Sequence, residues 1–427
     1  MNKAKLSGSL IAFMMVICLL LTGCDTPANV SSETQPAETE PVITEAAETV
    51  PEETMPEETI PEETVPEETI PEETAPPRTV KQISAAIYPD LPNIELFETL
   101  LKEKWAQLEP EVTLKLERWN CYTTPTNNCD VLMYDALVLT YLVENKRIQA
   151  IAPDDMENVD GIFPFAMDGA FHKGWYYGMP YFLCGDFLIY YKDDADVAAA
   201  ENVTQLYTVG KKKQKENPDT GLVLYNENAG PYYYLDTYVD FSGKYTFFER
   251  TPDCKNLDKR LLRYQDELHS IKMEPTNEET KNMGSLELFA RGYAFAFLGM
   301  SEHMCALNHM ADQIAIKNFS FSEEENIPLY YMDIVSIASH VTDPEKLELC
   351  KKLMNLTASE EFLAELCYEN GDPQYILPAR ESVYLAAEKD YPLYGQLHEL
   401  VTHPANRVFR FGKDIYKYLQ SYPAPRQ

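Results

Sequence analysis

The chain has 427 residues, enough for about two to four domains, and its 45% apolar and 11% aromatic content is enough to build cores. Its 69 acidic residues against 36 basic ones leave a formal charge of -33. A chain this acidic, with no basic stripe, repels phosphate backbones, which excludes nucleic acid as a partner.

The N-terminus reads as a targeting signal. Lys3 and Lys5 precede an apolar run of 12 residues, Leu10 to Leu21, too short for a mature membrane span. The run ends in Leu21-Thr-Gly-Cys24, which resembles the lipobox of bacterial lipoproteins. Residues 1–23 are then the removed signal peptide and Cys24 the lipidated mature N-terminus. Two acyl chains on that Cys suffice for stable anchoring, so the protein is expected on the outer face of the cell membrane. Residues 24–79 read as a disordered tether. Pro-Glu-Glu-Thr starts at Pro51, Pro56, Pro61, Pro66 and Pro71, and residues 25–77 hold 16 acidic residues and no Lys or Arg. Repeated carboxylates repel, regularly spaced Pro blocks helix, and too little apolar surface remains to order the segment.

Residues 80–427 carry the fold, and their pattern is α/β. Ile83 to Tyr88 reads as a strand ending at Pro89, and Asn93 as the cap of a helix reaching Leu108. The apolar face of that helix is Leu96, Phe97, Leu100, Leu101, Trp105 and Leu108. Strands follow at Thr113–Trp119 and Asp130–Tyr134, with helical spacing from Ala136 onward. Trp175 to Pro180 reads as a turn before one strand running to Tyr191. Helices are expected at about 256–272, 284–293 and 345–368. Strands alternating with helices in this order predict a parallel sheet with covering helices. The size and pattern fit a two-lobed fold like that of periplasmic solute-binding proteins (type II), with a ligand cleft between the lobes. Lobe 1 would take about 80–180 plus a C-terminal portion, and lobe 2 about 185–310.

The 28 Tyr residues suit either ligand recognition through aromatic faces or half-buried sheet positions. There is no Walker loop, dinucleotide glycine fingerprint, His-Glu-x-x-His motif or nucleophile elbow. His303, Cys305 and His309 lie close in sequence but lack a ligand pattern and read as residues of a surface helix, so neither metal nor cofactor is expected. Beyond Cys18 and Cys24 seven cysteines remain, an odd number that leaves at least one thiol unpaired within a monomer. Cys121 and Cys129 flank a short loop and could pair; the other pairings are open.

The run Tyr177-Gly-Met-Pro-Tyr-Phe-Leu-Cys184 resembles the catalytic segment of the thiamine pyridinylase (thiaminase I) family. Further similar stretches follow the family's order: Ile87-Tyr-Pro89, Trp119-Asn-Cys-Tyr122, Asp130-Val-Leu-Met-Tyr-Asp135, Gly299-Met-Ser-Glu302, Leu329-Tyr-Tyr-Met-Asp333 and Asp372-Pro-Gln-Tyr-Ile-Leu-Pro-Ala-Arg380. The resemblance implies the two-lobed fold and displacement of the thiazole of thiamine by an organic base or thiol. It places Cys184 as nucleophile and Glu302 as general base. Tyr331 and Asp333 fall on the pyrimidine-stacking and pyrimidine-bonding positions, Asp135 on another cleft carboxylate, and Tyr88 and Tyr122 on cleft aromatics. Asp135 also sits where a strand meets a helix, which suits an N-cap as well as a ligand contact. Two positions depart from the family: Asp90 replaces an aromatic, and Met300 stands where a Tyr is expected. The partners implied are thiamine and a small nucleophile, acting on a monomer. The competing reading is a lipid-anchored receptor that binds a solute without chemistry; a sugar-binding protein is weaker.

Overall fold

A computed structural model describes residues 79–125, 127–225, 230–243, 245, 258–276, 278–410, 412–414 and 416. The signal segment, Cys24, the repeats and Cys254 lie outside the described residues.

The chain enters through β1 (Gln82–Ile87), helix α1 (Ile94–Leu108), β2 (Thr113–Arg118) and β3 (Val131–Asp135). β1 runs parallel to both β2 and β3. In α1 the buried stripe is Ile94, Phe97, Leu100, Leu101 and Trp105. Leu108 is 47% exposed: the buried stripe starts at Ile94, two residues before the predicted Leu96, and ends at Trp105. Asn93 holds the cap position in the left-handed region with φ 50°, and its side chain makes no capping bond. It serves as a residue that tolerates this backbone, not as an oxygen acceptor.

A small hairpin of β4 (Phe171–His172) and β5 (Trp175–Tyr176) leads to β6 (Met179–Cys184) and β7 (Asp186–Tyr191). The later strands are β8 (Gly221–Leu224), β9 (Ala294–Met300), β10 (Ile314–Lys317), β11 (Leu329–Ile337), β12 (Leu377–Pro378) and β13 (Arg407–Val408). They form two main sheets. The first has the order β12-β6-β11-β3-β1-β2, with β13 also against β11; the second has the order β10-β7-β9-β8. The first sheet is not all parallel: β11 is antiparallel to both β3 and β6. Strands buried on both faces read as unbroken apolar runs whichever way they point, so sequence pattern could not give this direction. β3, buried at all five positions, is such a run.

The predicted single strand to Tyr191 is two strands in two sheets. The break is at Gly185, where a Cβ would meet the rings of Phe187 and Tyr330 at 3.3 Å. The chain crosses to the second sheet there and returns between β10 and β11. Close packing also requires Gly178, because a Cβ there would lie 2.3 Å from the Val335 carbonyl oxygen. The predicted helices appear as Lys259–Ser270 and Ser285–Ala290, and the third as Pro344–Thr357 followed by Glu360–Ala364. Ser359 interrupts the last pair by accepting a bond from the Phe362 amide. His303, Cys305 and His309 lie in a 3₁₀ stretch, Ser301–Met310, not on an α-helix. Among the described residues no helix is long and apolar enough to cross a membrane.

One core cluster is centred on the first sheet and reaches the near face of the second, with Phe97, Tyr134, Leu183, Ile334 and Phe362. Another backs the second sheet with Leu188, Leu206, Leu222, Leu268 and Leu298. Cys121 and Cys129 are both buried free thiols. Cys121 is set beside Asp135, whereas Cys129 faces Ser84 and Glu117, so the loop holds them apart instead of pairing them.

Candidate active site

Ligands of open α/β sheets bind at the carboxyl ends of strands. Here Tyr88 follows β1, Asp135 ends β3, Cys184 ends β6, and Glu302 lies just beyond β9. β11 runs between β3 and β6 and adds two side chains: Tyr331 is registered opposite Cys184, and Asp333 opposite Asp135 and Phe182. Tyr331 and Asp333 are half-buried while Tyr330, Met332 and Ile334 are buried, so they share the cleft face, as a period of two requires. All seven residues singled out in the sequence line one cavity of about 220 Å³. Asp90 and Met300, the two departures from the family pattern, lie on the same wall, together with Leu91, Phe182 and Ile376, which the sequence reading did not single out.

The Cys184 thiol lies 3.6 Å from each carboxylate oxygen of Glu302. Burial pushes the thiol well above its ordinary value, and the charges of Glu302, Asp186 and Asp333 push it further. Among the described residues no cation is recorded acting on it, so the resting group is a thiol beside a carboxylate. Burial also raises Glu302, against the opposing effect of bonds from its own amide and the Cys184 thiol. A raised carboxylate is a better base.

Asp135 is 4% exposed and has two bonds. Oδ1 accepts from the Leu137 amide at 2.8 Å, capping the 3₁₀ turn Ala136–Val138, while Oδ2 accepts from the Tyr122 hydroxyl at 2.8 Å. Burial pushes its carboxyl up to about 7 despite these two bonds. Like charges directly opposite in a sheet repel. Accordingly Asp333, facing Asp135, is driven well above the carboxylate range, first by burial, then by Asp135, Glu302 and Asp90. The Asp333 carboxyl is therefore biased toward its protonated form. Tyr122 and Tyr88 meet edge to face at 5.6 Å, and Tyr331 packs against Phe409 at 5.2 Å. Met300 is fixed by its own amide, which donates to His303 Nδ1 at 3.0 Å.

Asp186 was also missed. It pairs with Met300 across β7 and β9, two residues from Cys184. The signal for it was a lone carboxylate inside the apolar run from Phe182 to Tyr191. Among the described residues no group of three His, Cys, Asp or Glu side chains is placed to hold a metal ion.

Residues 185–322 match the Thiaminase-1 domain, a span that begins one residue after Cys184 and contains the whole second sheet and Glu302. Thiaminase-1 of Paenibacillus thiaminolyticus is 32% identical over 353 residues, covering 79% of this chain and 85% of that protein. The structure of Clostridium botulinum thiaminase I in complex with thiamin is similar with a TM-score of 0.73 and 28% identity, covering 79% of this chain and 96% of the other. The GacH receptor of Streptomyces glaucescens, solved with acarbose, shares the fold alone, at 12% identity and a TM-score of 0.57 over 82% of this chain and 95% of its own. With the two-lobed binding-protein fold and a third of its residues shared over most of its length, the chain belongs to the thiaminase I family.

Proposed function

We propose that the chain is a thiamine pyridinylase in which Cys184 is the nucleophile and Glu302 its base. Thiamine joins an aminopyrimidine to a cationic thiazolium through a methylene, and direct displacement at that carbon is slow. Glu302 takes the Sγ proton as the sulfur bonds to C6 of the pyrimidine. The ring becomes an enamine whose electrons expel neutral thiazole. The acceptor then bonds to the methylene, the ring electrons return, and the Sγ–C6 bond breaks. One hard substitution becomes two easier steps. Asp333, in its protonated form, donates toward the pyrimidine nitrogen and makes C6 a better electron acceptor. Asp135 accepts from the 4-amino group through the remaining lone pairs of its oxygens, with the Tyr122 hydroxyl and the Leu137 amide holding the carboxylate in place. Tyr331 and Tyr88 flank the rings.

The observation that carries this reading is the contact of the Cys184 thiol with both Glu302 oxygens in the cavity that also holds Asp135 and Asp333. A receptor has no need of a half-buried thiol against a half-buried carboxylate. The test is to mix the protein with thiamine and aniline or pyridine. Loss of thiamine with release of free thiazole is expected; tight binding with thiamine unchanged would make the chain a receptor.

The lipobox-like Leu21-Thr-Gly-Cys24 supports a lipid anchor at Cys24, outside the cytoplasmic membrane. The repeats support a spacer: an extended Pro-rich chain rises about 3.1 Å per residue, giving a reach on the order of 150 Å.

A further inference from the structure

The two chain crossings between the sheets line a second, smaller cavity of about 20 Å³, whose wall includes Gly185 and Asp186, the two residues that follow Cys184. Gly185 and Pro328 belong to the crossings, and the polar walls are Asp186, Asp236, Asp240, Asn318 and Asn326. A space of this size holds one water when several polar groups converge on it. Asp240 is already occupied: it accepts from the Phe321 amide at 2.7 Å, the Ile327 amide at 2.8 Å and the Ser320 hydroxyl at 3.1 Å. Asp186 and Asp236 have no such bonds among the described residues. The charges that reach them are carboxylates, Glu302 on Asp186, and Asp186 and Asp240 on Asp236. The Tyr233 hydroxyl is a further observation. Its residue is 1% exposed, the hydroxyl is buried without a partner, and Asp186 and Asp236 are the charged groups acting on it. Asp186 and Asp236 thus share the wall of a one-water space, and both act on the partnerless Tyr233 hydroxyl.

We propose that Asp186 passes a proton between Glu302 and Asp236 through this water-sized cavity, and that the relay lets the site use acceptors that carry a proton. The relay rests on the thiamine-cleaving reading above. Its need follows from proton balance. With pyridine, the thiamine cation is exchanged for another cation and no proton is released: Glu302 takes the Sγ proton and later returns it. With a thiol, the product is neutral and one proton must leave. Glu302 is already protonated when the thiol arrives, so it must first give the Sγ proton to Asp186. The carboxylate so restored takes the thiol's proton as the new S–C bond forms, then returns that proton to Sγ as the Sγ–C6 bond breaks. The proton on Asp186 moves through the water to Asp236 and to solvent. Burial and the Glu302 charge push Asp186 up to about 7, which suits a group that must both take and release a proton near neutrality. Glu302 and Cys184 face Asp186 from the catalytic side, and Asp236 and Tyr233 from the other.

The test compares pyridine with 2-mercaptoethanol as acceptor near neutral pH, in wild type, Asp186→Asn and Asp236→Asn. Removal of a proton-transfer group changes rate by roughly 10²–10⁴-fold, so the ratio of pyridine to thiol turnover should rise on the order of 10² in each variant. At higher pH, where the thiol is ionised in solution, the ratio should return toward wild type. A lesion that is merely structural lowers both turnovers together, and an unchanged ratio overturns the relay. If Asp186→Asn does not fold, Asp236→Asn decides alone by the same ratio. Wild-type protein that cleaves thiamine with neither acceptor defeats the parent reading instead, before any variant is needed.

Discussion

Asp135→Asn should make the protein more stable and less active, and the stability gain should depend on pH. The Asp135 carboxyl is pushed from 3.8 in its ordinary state up to about 7 by burial. Each unit is worth about 1.4 kcal/mol, so the folded state carries a penalty of up to about 4 kcal/mol once the group is ionised in both states. A carboxyl raised by folding binds its proton more tightly in the native chain. Its penalty is therefore absent below the unfolded value, grows between about 4 and about 7, and is complete above that. Asn has nearly the same shape, can accept from the Leu137 amide, and can donate to the Tyr122 oxygen, but never ionises. Near pH 8 the variant should gain up to about 4 kcal/mol, and near pH 5.5 about half as much. Turnover should fall, because an amide offers the pyrimidine no charge. Urea unfolding at the two pH values, alongside thiamine turnover, measures both. A variant less stable than wild type near pH 8, or a gain that is flat between the two, would refute burial as the source of the shift.

Glu302→Gln should lose about 10²–10⁴-fold in turnover, because an amide cannot take the thiol proton; a loss below about tenfold near neutral pH would assign the base elsewhere. A chain beginning at Arg78 should melt at the same temperature as the full chain and match its turnover at physiological salt, where charge effects are screened beyond about 8 Å. Lower turnover per folded molecule would mean that the repeats touch the catalytic lobes. Cys24→Ser should release the protein from the membrane fraction into the medium without changing its specific activity; continued membrane retention would place the anchor elsewhere.

The strands and helices that carry the cleft were legible because apolar spacing and period-two alternation are local signals. Leu100, Leu101 and Trp105 read as one helix face, and Tyr331 with Asp333 as one strand face. The direction of β11 was not legible, since buried runs look alike in either direction. Neither was the break at Gly185, because Gly185 and Asp186 interrupt the apolar pattern of the two strands by only two residues. The seven site residues came from ordered motifs, and residue spacing alone did not join Cys184 to Glu302, 118 positions away. Asp186 escaped because its meaning depends on a cavity formed by chain crossings distant in sequence. The bias of Asp333 toward its protonated form escaped for a similar reason: it needs Asp135 as a cross-strand neighbour, which only the register supplies.

The central claim is that the Cys184 sulfur performs the displacement, and Cys184→Ser tests it most directly. Release of free thiazole from thiamine with pyridine as acceptor is followed for wild type and variant, with thiamine binding to both recorded by calorimetry. Serine keeps the shape of the site, but its hydroxyl is far too basic to be ionised by one carboxylate. The account predicts that the variant binds thiamine about as well as wild type and releases no measurable thiazole. Turnover comparable to wild type in a folded, thiamine-binding variant would contradict it.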